Sequence, residues 1–100
     1  MQEINKHINQ IKKLCDTNKV SSLFAFGSVT TNKFRTDSDI DMVVEIDDND
    51  PLTYSDKYFN LKFQLELLFN RHIDLLEQKS VKNKFLRTQI DQTKVLVYGK

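Results

Sequence analysis

The stretch FAFGSVTTNKFRTDSDIDMVV, residues 24 to 44, holds the side chains of this chain best suited to chemistry: Gly27-Ser28, ten further residues, then Asp39 and Asp41 on either side of Ile40. Carboxylates at i and i+2 of an extended strand lie on one face, about 7 Å apart by the strand rise. Like charges so close repel and raise one another's pKa unless something positive intervenes. Mg²⁺, which takes one or two carboxylates together with phosphate oxygens, is the natural counter-charge. Alone, the spacing is a weak signal. Asp74, in HIDLLEQ, strengthens it, because a purely structural role there calls for another apolar residue; if its strand neighbours that of Asp39, three acids converge. Gly27 at a strand end lets backbone approach a ligand closely, and a helix beginning at Ser28 would turn free N–H groups toward a phosphate. The plain alternative is a turn with Ser28 as a helix cap.

These residues need elements to position them. Ile4, Ile8, Ile11 and Cys15 recur at helical spacing from about residue 2 to 17, with Asn18 as a stop. Val20 to Phe26 reads as a strand ending at Gly27, followed by a brief helix from Ser28 to about Phe34. From Ile40 to Ile46 the pattern alternates, with Ile40, Met42, Val44 and Ile46 on one face and Asp39, Asp41, Val43 and Glu45 on the other. An acidic turn, Asp47 to Asp50 with Pro51, precedes a helix of roughly Thr53 to Asn70. Ile73 to Leu76 is a third strand, a last helix spans about Val81 to Gln92, and Val95 to Tyr98 adds an edge strand. Helices and strands in alternation predict an α/β domain, a small mixed β-sheet covered by helices.

The middle helix carries two apolar stripes. Tyr58, Leu61, Leu65, Leu68 and Phe69 form one; Phe59, Phe63 and Leu67 form the other, with Lys62 and Glu66 between. The second either packs on another helix of the domain or meets a partner.

Bulk composition sets limits. One hundred residues, 39% hydrophobic and 29% charged, are expected to form a single domain spanning 1–100. A formal net charge of +1 gives no overall electrostatic case for nucleic acid or membranes. Lys79, Lys82, Lys84 and Arg87 cluster around the last helix, but with Phe85 as their one interleaved aromatic they read as a solvated face. The single cysteine, Cys15, reads as a buried thiol. With no apolar run long enough for a membrane span or a signal core, a cytoplasmic setting is expected.

Gly27-Ser28, ten residues, Asp39-x-Asp41, and Asp74 further on resemble the signature of the nucleotidyltransferase superfamily shared by DNA polymerase β and kanamycin nucleotidyltransferase. The run SDIDMVV and the ending QTKVLVYG are most similar to the minimal nucleotidyltransferase (MNT) proteins, over nearly the whole chain. That resemblance implies a nucleotidyltransferase fold, two Mg²⁺ ions, ATP as substrate, and an antitoxin that transfers AMP to a tyrosine of a HEPN toxin. Carried over by position, Asp39, Asp41 and Asp74 would bind metal, with Asp74 also the general base. Gly27, Ser28, Ser38 and Arg35 would hold the nucleotide, although Arg35 reads equally as a solvated charge. The chemistry is coherent, since two ions can activate the attacking oxygen and neutralise the leaving pyrophosphate. Thr30 and Asn32 stand where many relatives carry a small residue and a glycine, and neither change removes a ligand. Asp37 reads as a loop residue seating Ser38, His72 as a loop histidine ending a helix, and His7 as solvated.

The chain is expected to supply the catalytic layer without a domain to hold an acceptor, so another molecule would present the hydroxyl, docked on Phe59, Phe63 and Leu67. Two rival readings stand beside catalysis on a toxin: an antitoxin acting by binding alone, and an enzyme modifying a small hydroxylated molecule such as an aminoglycoside.

Overall fold

The computed structural model describes residues 1–99. Helices α1 (Gln2–Asn5) and α2 (Ile8–Thr17) lead into strand β1 (Val20–Phe26). A one-turn 3-10 segment, Gly27–Thr30, precedes β2 (Ile40–Ile46), α3 (Pro51–Phe69) and β3 (Ile73–Glu77); a second, Gln78–Ser80, precedes α4 (Lys84–Thr93) and β4 (Val95–Gly99). The sheet runs β3-β2-β1-β4, with β2 and β3 parallel and the other pairs antiparallel. The expected mixed sheet covered by helices is what forms.

Each face of the sheet buries a different cluster. Helices α1, α2 and α3 lie over the larger core, in which Ile4, Ile11, Leu23, Ile40, Leu61 and Leu65 lose all contact with solvent. Beneath α4, Phe26, Val43 and Ile90 form a smaller one. Val43, placed by alternation on the face of the aspartates, is therefore buried, because α4 covers that face beyond Asp41. Burial pushes the Cys15 thiol up to about 12, which leaves it an inert packing group.

Four boundaries differ from expectation, each for a local reason. The first helix breaks at Lys6–His7, where His7 N bonds Ile4 O at 3.0 Å and tightens the turn. The break lets the Met1 ammonium reach Val29 O at 3.3 Å, and the His7 ring, rather than being solvated, packs edge-on to Phe69 with centroids 5.1 Å apart. The helix expected over Ser28–Phe34 is only the 3-10 turn. Thr30 Oγ1 donates to Gly27 O at 2.7 Å and Thr31 Oγ1 to Ser28 O at 2.9 Å, so hydroxyls take the carbonyls that a continuing helix would use. Helix α3 starts earlier, with Asp50 accepting from Leu52 N at 3.0 Å and Pro51 in the first turn. Helix α4 starts later, at the Asn83 cap, whose Oδ1 accepts from Leu86 N at 3.2 Å.

The inner stripe of α3 fills the core through Tyr54, Leu61, Leu65 and Phe69. Among the described residues the outer stripe packs on no helix: Phe59, Phe63 and Leu67 are 64%, 58% and 62% exposed. The basic cluster also divides. Lys79 lies over the Tyr54 ring at 3.8 Å, and Arg87 Nη2 donates to Gln78 O and Val81 O, which leaves Lys82 and Lys84 in solvent.

Candidate active site

The sheet brings four chain segments to one end. β2 and β3 both begin there, β1 finishes there, and Thr93 closes α4 beside them. In the parallel register Asp41 pairs with Asp74, so the two carboxylates sit side by side on neighbouring strands and share a face; Asp41 also pairs with Phe26, the residue before Gly27. The approach of Asp74 to Asp41 therefore follows from strand order, while Asp39 lies just before the paired residues.

Gly27 is held with φ at +75°, and a Cβ there would lie 2.7 Å from Asp41 Oδ2. A side chain there would have to displace the carboxylate and take up left-handed backbone, which glycine adopts without strain. Its N–H donates to Thr93 Oγ1 at 3.2 Å. That bond takes up the Gly27 amide, and with only one 3-10 turn following there is no extended helix dipole, so the expected helix N-terminus at Ser28 is absent.

The electrostatics single out Asp41. Burial pushes its carboxyl up, and the neighbouring Asp74 and Asp39 charges push it further, against a smaller opposing effect of His72. Asp39 and Asp74 are exposed. Asp39 Oδ2 turns to His72 Nδ1 at 3.3 Å, and among the described residues no three acidic, histidine or cysteine side chains meet around one point. A pair more than half exposed on both sides contributes less than about 1 kcal/mol, so an ion could draw Asp39 away from His72 with little loss. Asp41 and Asp74, side by side in register, could take a divalent cation between them, with Asp39 joining only by leaving His72.

The connection between Gly27 and β2 is a built loop. Arg35 N donates to Ser38 Oγ at 3.0 Å and Ser38 N to Arg35 O at 3.1 Å, closing a tight turn. The Ser38 hydroxyl is thus already engaged, Arg35 extends into solvent, and Asp37 is exposed beside the turn. His72 lies in the loop after α3, beyond the Asn70 cap rather than at the helix end, and its carbonyl also accepts from Ile40 N at 3.2 Å. Sequence reasoning missed two residues: Thr93, and Arg71, whose Nη1 donates to Arg35 O at 3.1 Å and Ser38 O at 2.8 Å. Both act on backbone atoms, which leave no side-chain pattern to read.

A mixed four-stranded sheet with paired acids at the start of its second strand, and a glycine turn pressed against them, defines a nucleotidyltransferase. The chain belongs to the polymerase beta nucleotidyltransferase family, whose profile it matches over residues 9–100. A Methanocaldococcus jannaschii protein provisionally named protein adenylyltransferase is 32% identical over 98 residues, 97% of each chain. Among solved structures, a chain of a toxin–antitoxin complex with AMP-PNP is 25% identical, with a TM-score of 0.71 over 93% of this chain and 73% of that one. A chain of the tri-AMPylated Shewanella oneidensis HEPN toxin in complex with its MNT antitoxin aligns with a TM-score of 0.66 at 23% identity, covering 97% of this chain and 73% of that one.

Proposed function

We propose that this chain is an antitoxin that transfers AMP from ATP to a tyrosine hydroxyl of a HEPN toxin and thereby neutralises it. The observation that carries the reading is the registered pair Asp41 and Asp74, with Asp39 two residues back and Gly27 pressed against Asp41. The Methanocaldococcus relative's name supports AMP transfer to protein, and the complexes with AMP-PNP and with an AMPylated toxin support the nucleotide and the acceptor class.

In the reaction the acceptor oxygen bonds to the α-phosphorus of ATP, the bond from that phosphorus to the bridging oxygen breaks, and pyrophosphate leaves. Asp74, an exposed carboxylate beside Asp41, takes the hydroxyl proton. Asp39, Asp41 and Asp74 would hold Mg²⁺, which would supply charge neutralisation at the phosphates and acidify the attacking hydroxyl. The 27–28 turn cradles the triphosphate, with Ser28 and the solvent-facing Arg35 as its polar contacts. Ser38 serves the nucleotide chiefly by shaping the loop, its hydroxyl being held by Arg35 N. An ATP-consuming reaction and a lone, buried, unpaired thiol suit a cytoplasmic setting.

The acceptor arrives on a partner. The ridge Phe59, Phe63, Leu67 is apolar, exposed and helical in spacing, which fits a helix of the toxin. Charges at Phe59 and Phe63 should abolish complex formation while leaving the melting temperature unchanged; an unaffected complex removes this surface from the account. The same ridge favours a second reading, neutralisation by binding alone. Intact-mass analysis of the toxin after incubation with this chain, ATP and Mg²⁺ decides between them. AMP adducts formed by the wild type and lost with Asp39→Ala/Asp41→Ala, together with loss of neutralisation, establish catalysis. A stable, neutral complex without adducts establishes occlusion.

A further inference from the structure

We infer that Arg71 is a positioning residue of the metal site, a cross-link that fixes the backbone carrying Asp39 to the strand carrying Asp74. This rests on the nucleotidyltransferase reading of the three carboxylates. Arg71 lies between the end of α3 and the start of β3, three residues before Asp74. Its Nη1 directs one N–H to Arg35 O at 3.1 Å and the other to Ser38 O at 2.8 Å, the two ends of the turn that leads into Asp39. Its guanidinium stacks 4.6 Å from the centroid of Phe34, the residue before that turn. The next residue adds a backbone stitch, Ile40 N to His72 O at 3.2 Å. Together these contacts clasp residues 34–40 to the approach to β3 on both sides of Asp39.

The clasp addresses a specific problem. Asp39 precedes β2 and so lacks the ladder that holds Asp41 in register with Asp74. Three carboxylates repel, and the loop that bears the outermost is the one free to swing away. A cation placed under the loop and bonded to its carbonyls opposes that motion without neutralising the carboxylates themselves. Arg71 Nε is buried with no partner among the described residues, an unfavourable arrangement for a guanidinium whose other contacts did not fix its place. With both Nη1 protons engaged and Nε inaccessible, the side chain is committed to the loop. Its planar group also matches the stacked site in a way that a lysine ammonium does not.

The test is Mn²⁺ binding by the isolated, full-length chain, read as loss of the free-ion EPR signal with and without AMP-PNP, for wild type, Arg71→Met, Arg71→Lys and Phe34→Leu. Arg71→Met should weaken Mn²⁺ binding roughly tenfold, as for other groups that orient a metal ligand. Arg71→Lys should recover part of that loss, and hydrogen exchange at residues 36–40 should quicken in the same order. Unchanged Mn²⁺ affinity in a folded Arg71→Met chain overturns the inference. If that variant does not fold, Arg71→Lys and Phe34→Leu decide: weaker Mn²⁺ binding with faster loop exchange in both supports the clasp, and wild-type values in both refute it. If Mn²⁺ binding depends on Arg71 yet the wild-type chain yields no AMP adducts, the proposed function is defeated and the clasp stands.

Discussion

Strand β2 has aspartates at both ends, and the protein treats them oppositely. At its exit each engaged acid has a donor: Asp48 Oδ2 accepts from Lys57 Nζ at 2.6 Å and Thr53 Oγ1 at 2.7 Å, and Asp50 caps α3. Those bonds, led by the one from Lys57, hold the Asp48 carboxyl well below the usual range. At the start of the strand burial, and then the charges of Asp74 and Asp39, push the Asp41 carboxyl up. Residue type and near-alternate spacing are shared, so they do not distinguish a stabilising cluster from a reactive one. The difference lies in what the neighbouring elements supply: α3 brings a lysine and a threonine to one end, and β3 brings a third acid to the other. The fold gives Asp48 and Asp50 donors at the exit of β2 and leaves Asp41 and Asp74 side by side at its start, a like-charged pairing of the kind found at functional sites.

The largest effect should come from removing charge at the unsatisfied end. Asp41→Asn keeps the shape of the side chain and should lower AMP transfer roughly a thousandfold or more, about 4 kcal/mol of barrier. It should also raise the melting temperature of the metal-free chain, because a like-charge pair disappears. Single-turnover transfer and a thermal melt on one preparation check both; loss of stability together with activity would show that Asp41 is as structural as Asp48. Next in size is Gly27→Ala. A methyl group 2.7 Å from Asp41 Oδ2, on backbone with φ at +75°, should destabilise by about 1–3 kcal/mol. Displacement of the carboxylate should lower transfer roughly a hundredfold. Wild-type transfer by a folded Gly27→Ala chain would detach the turn from the site.

How much of this was open to reading in the sequence depends on the range of the forces involved. The alternation of Ile40, Met42, Val44 and Ile46 and the spacing of Ile4, Ile8 and Ile11 are local, and they placed the strand and most of the helix. The contacts made at the broken helix, His7 with Phe69 and Met1 with Val29, reach far along the chain, and no local pattern announces them. Threonine hydroxyls cut the turn after Gly27 to one 3-10 segment, a competition that hydrophobic periodicity does not register. At the site, Asp39, Asp41 and Asp74 stood out because acids interrupt apolar runs. Thr93, 66 residues from the glycine amide it accepts from, and Arg71, whose targets are carbonyls, interrupt nothing. The outer stripe of α3 had two readings with identical periodicity, and only the tertiary arrangement left it bare.

At the satisfied end the effects should fall on stability alone. Asp50→Ala removes the α3 cap and should cost about 1 kcal/mol, a fall in melting temperature of about 4–8 °C for a domain of this size, with AMP transfer unchanged. A matching loss of transfer would mean that the two ends of β2 are coupled.

The smallest effect is also the most discriminating, because the two ends should respond to pH with opposite signs. Asp41 in the metal-free folded chain keeps its proton above 3.8, the value for an unperturbed aspartate. From 3.8 up to that raised value the folded state binds more protons than the unfolded, so stability falls as pH rises, and above it the penalty is complete. Asp48 has its folded value depressed below the same 3.8. Its stabilisation is complete above the ordinary carboxylate range and is lost as pH falls through that range toward the depressed value. Melts of the metal-free chain from about pH 3 to about pH 7 should therefore show the advantage of Asp41→Asn over wild type growing with pH. The deficit of Asp48→Asn should grow over the same interval. Mg²⁺ with AMP-PNP should then reverse the first trend and leave the second untouched, since a cation at the start of the strand converts the repulsion among Asp39, Asp41 and Asp74 into binding while Lys57 remains where it was. Two trends of the same sign, or a response to Mg²⁺ at both ends, would mean that the two clusters do not differ in their energetics.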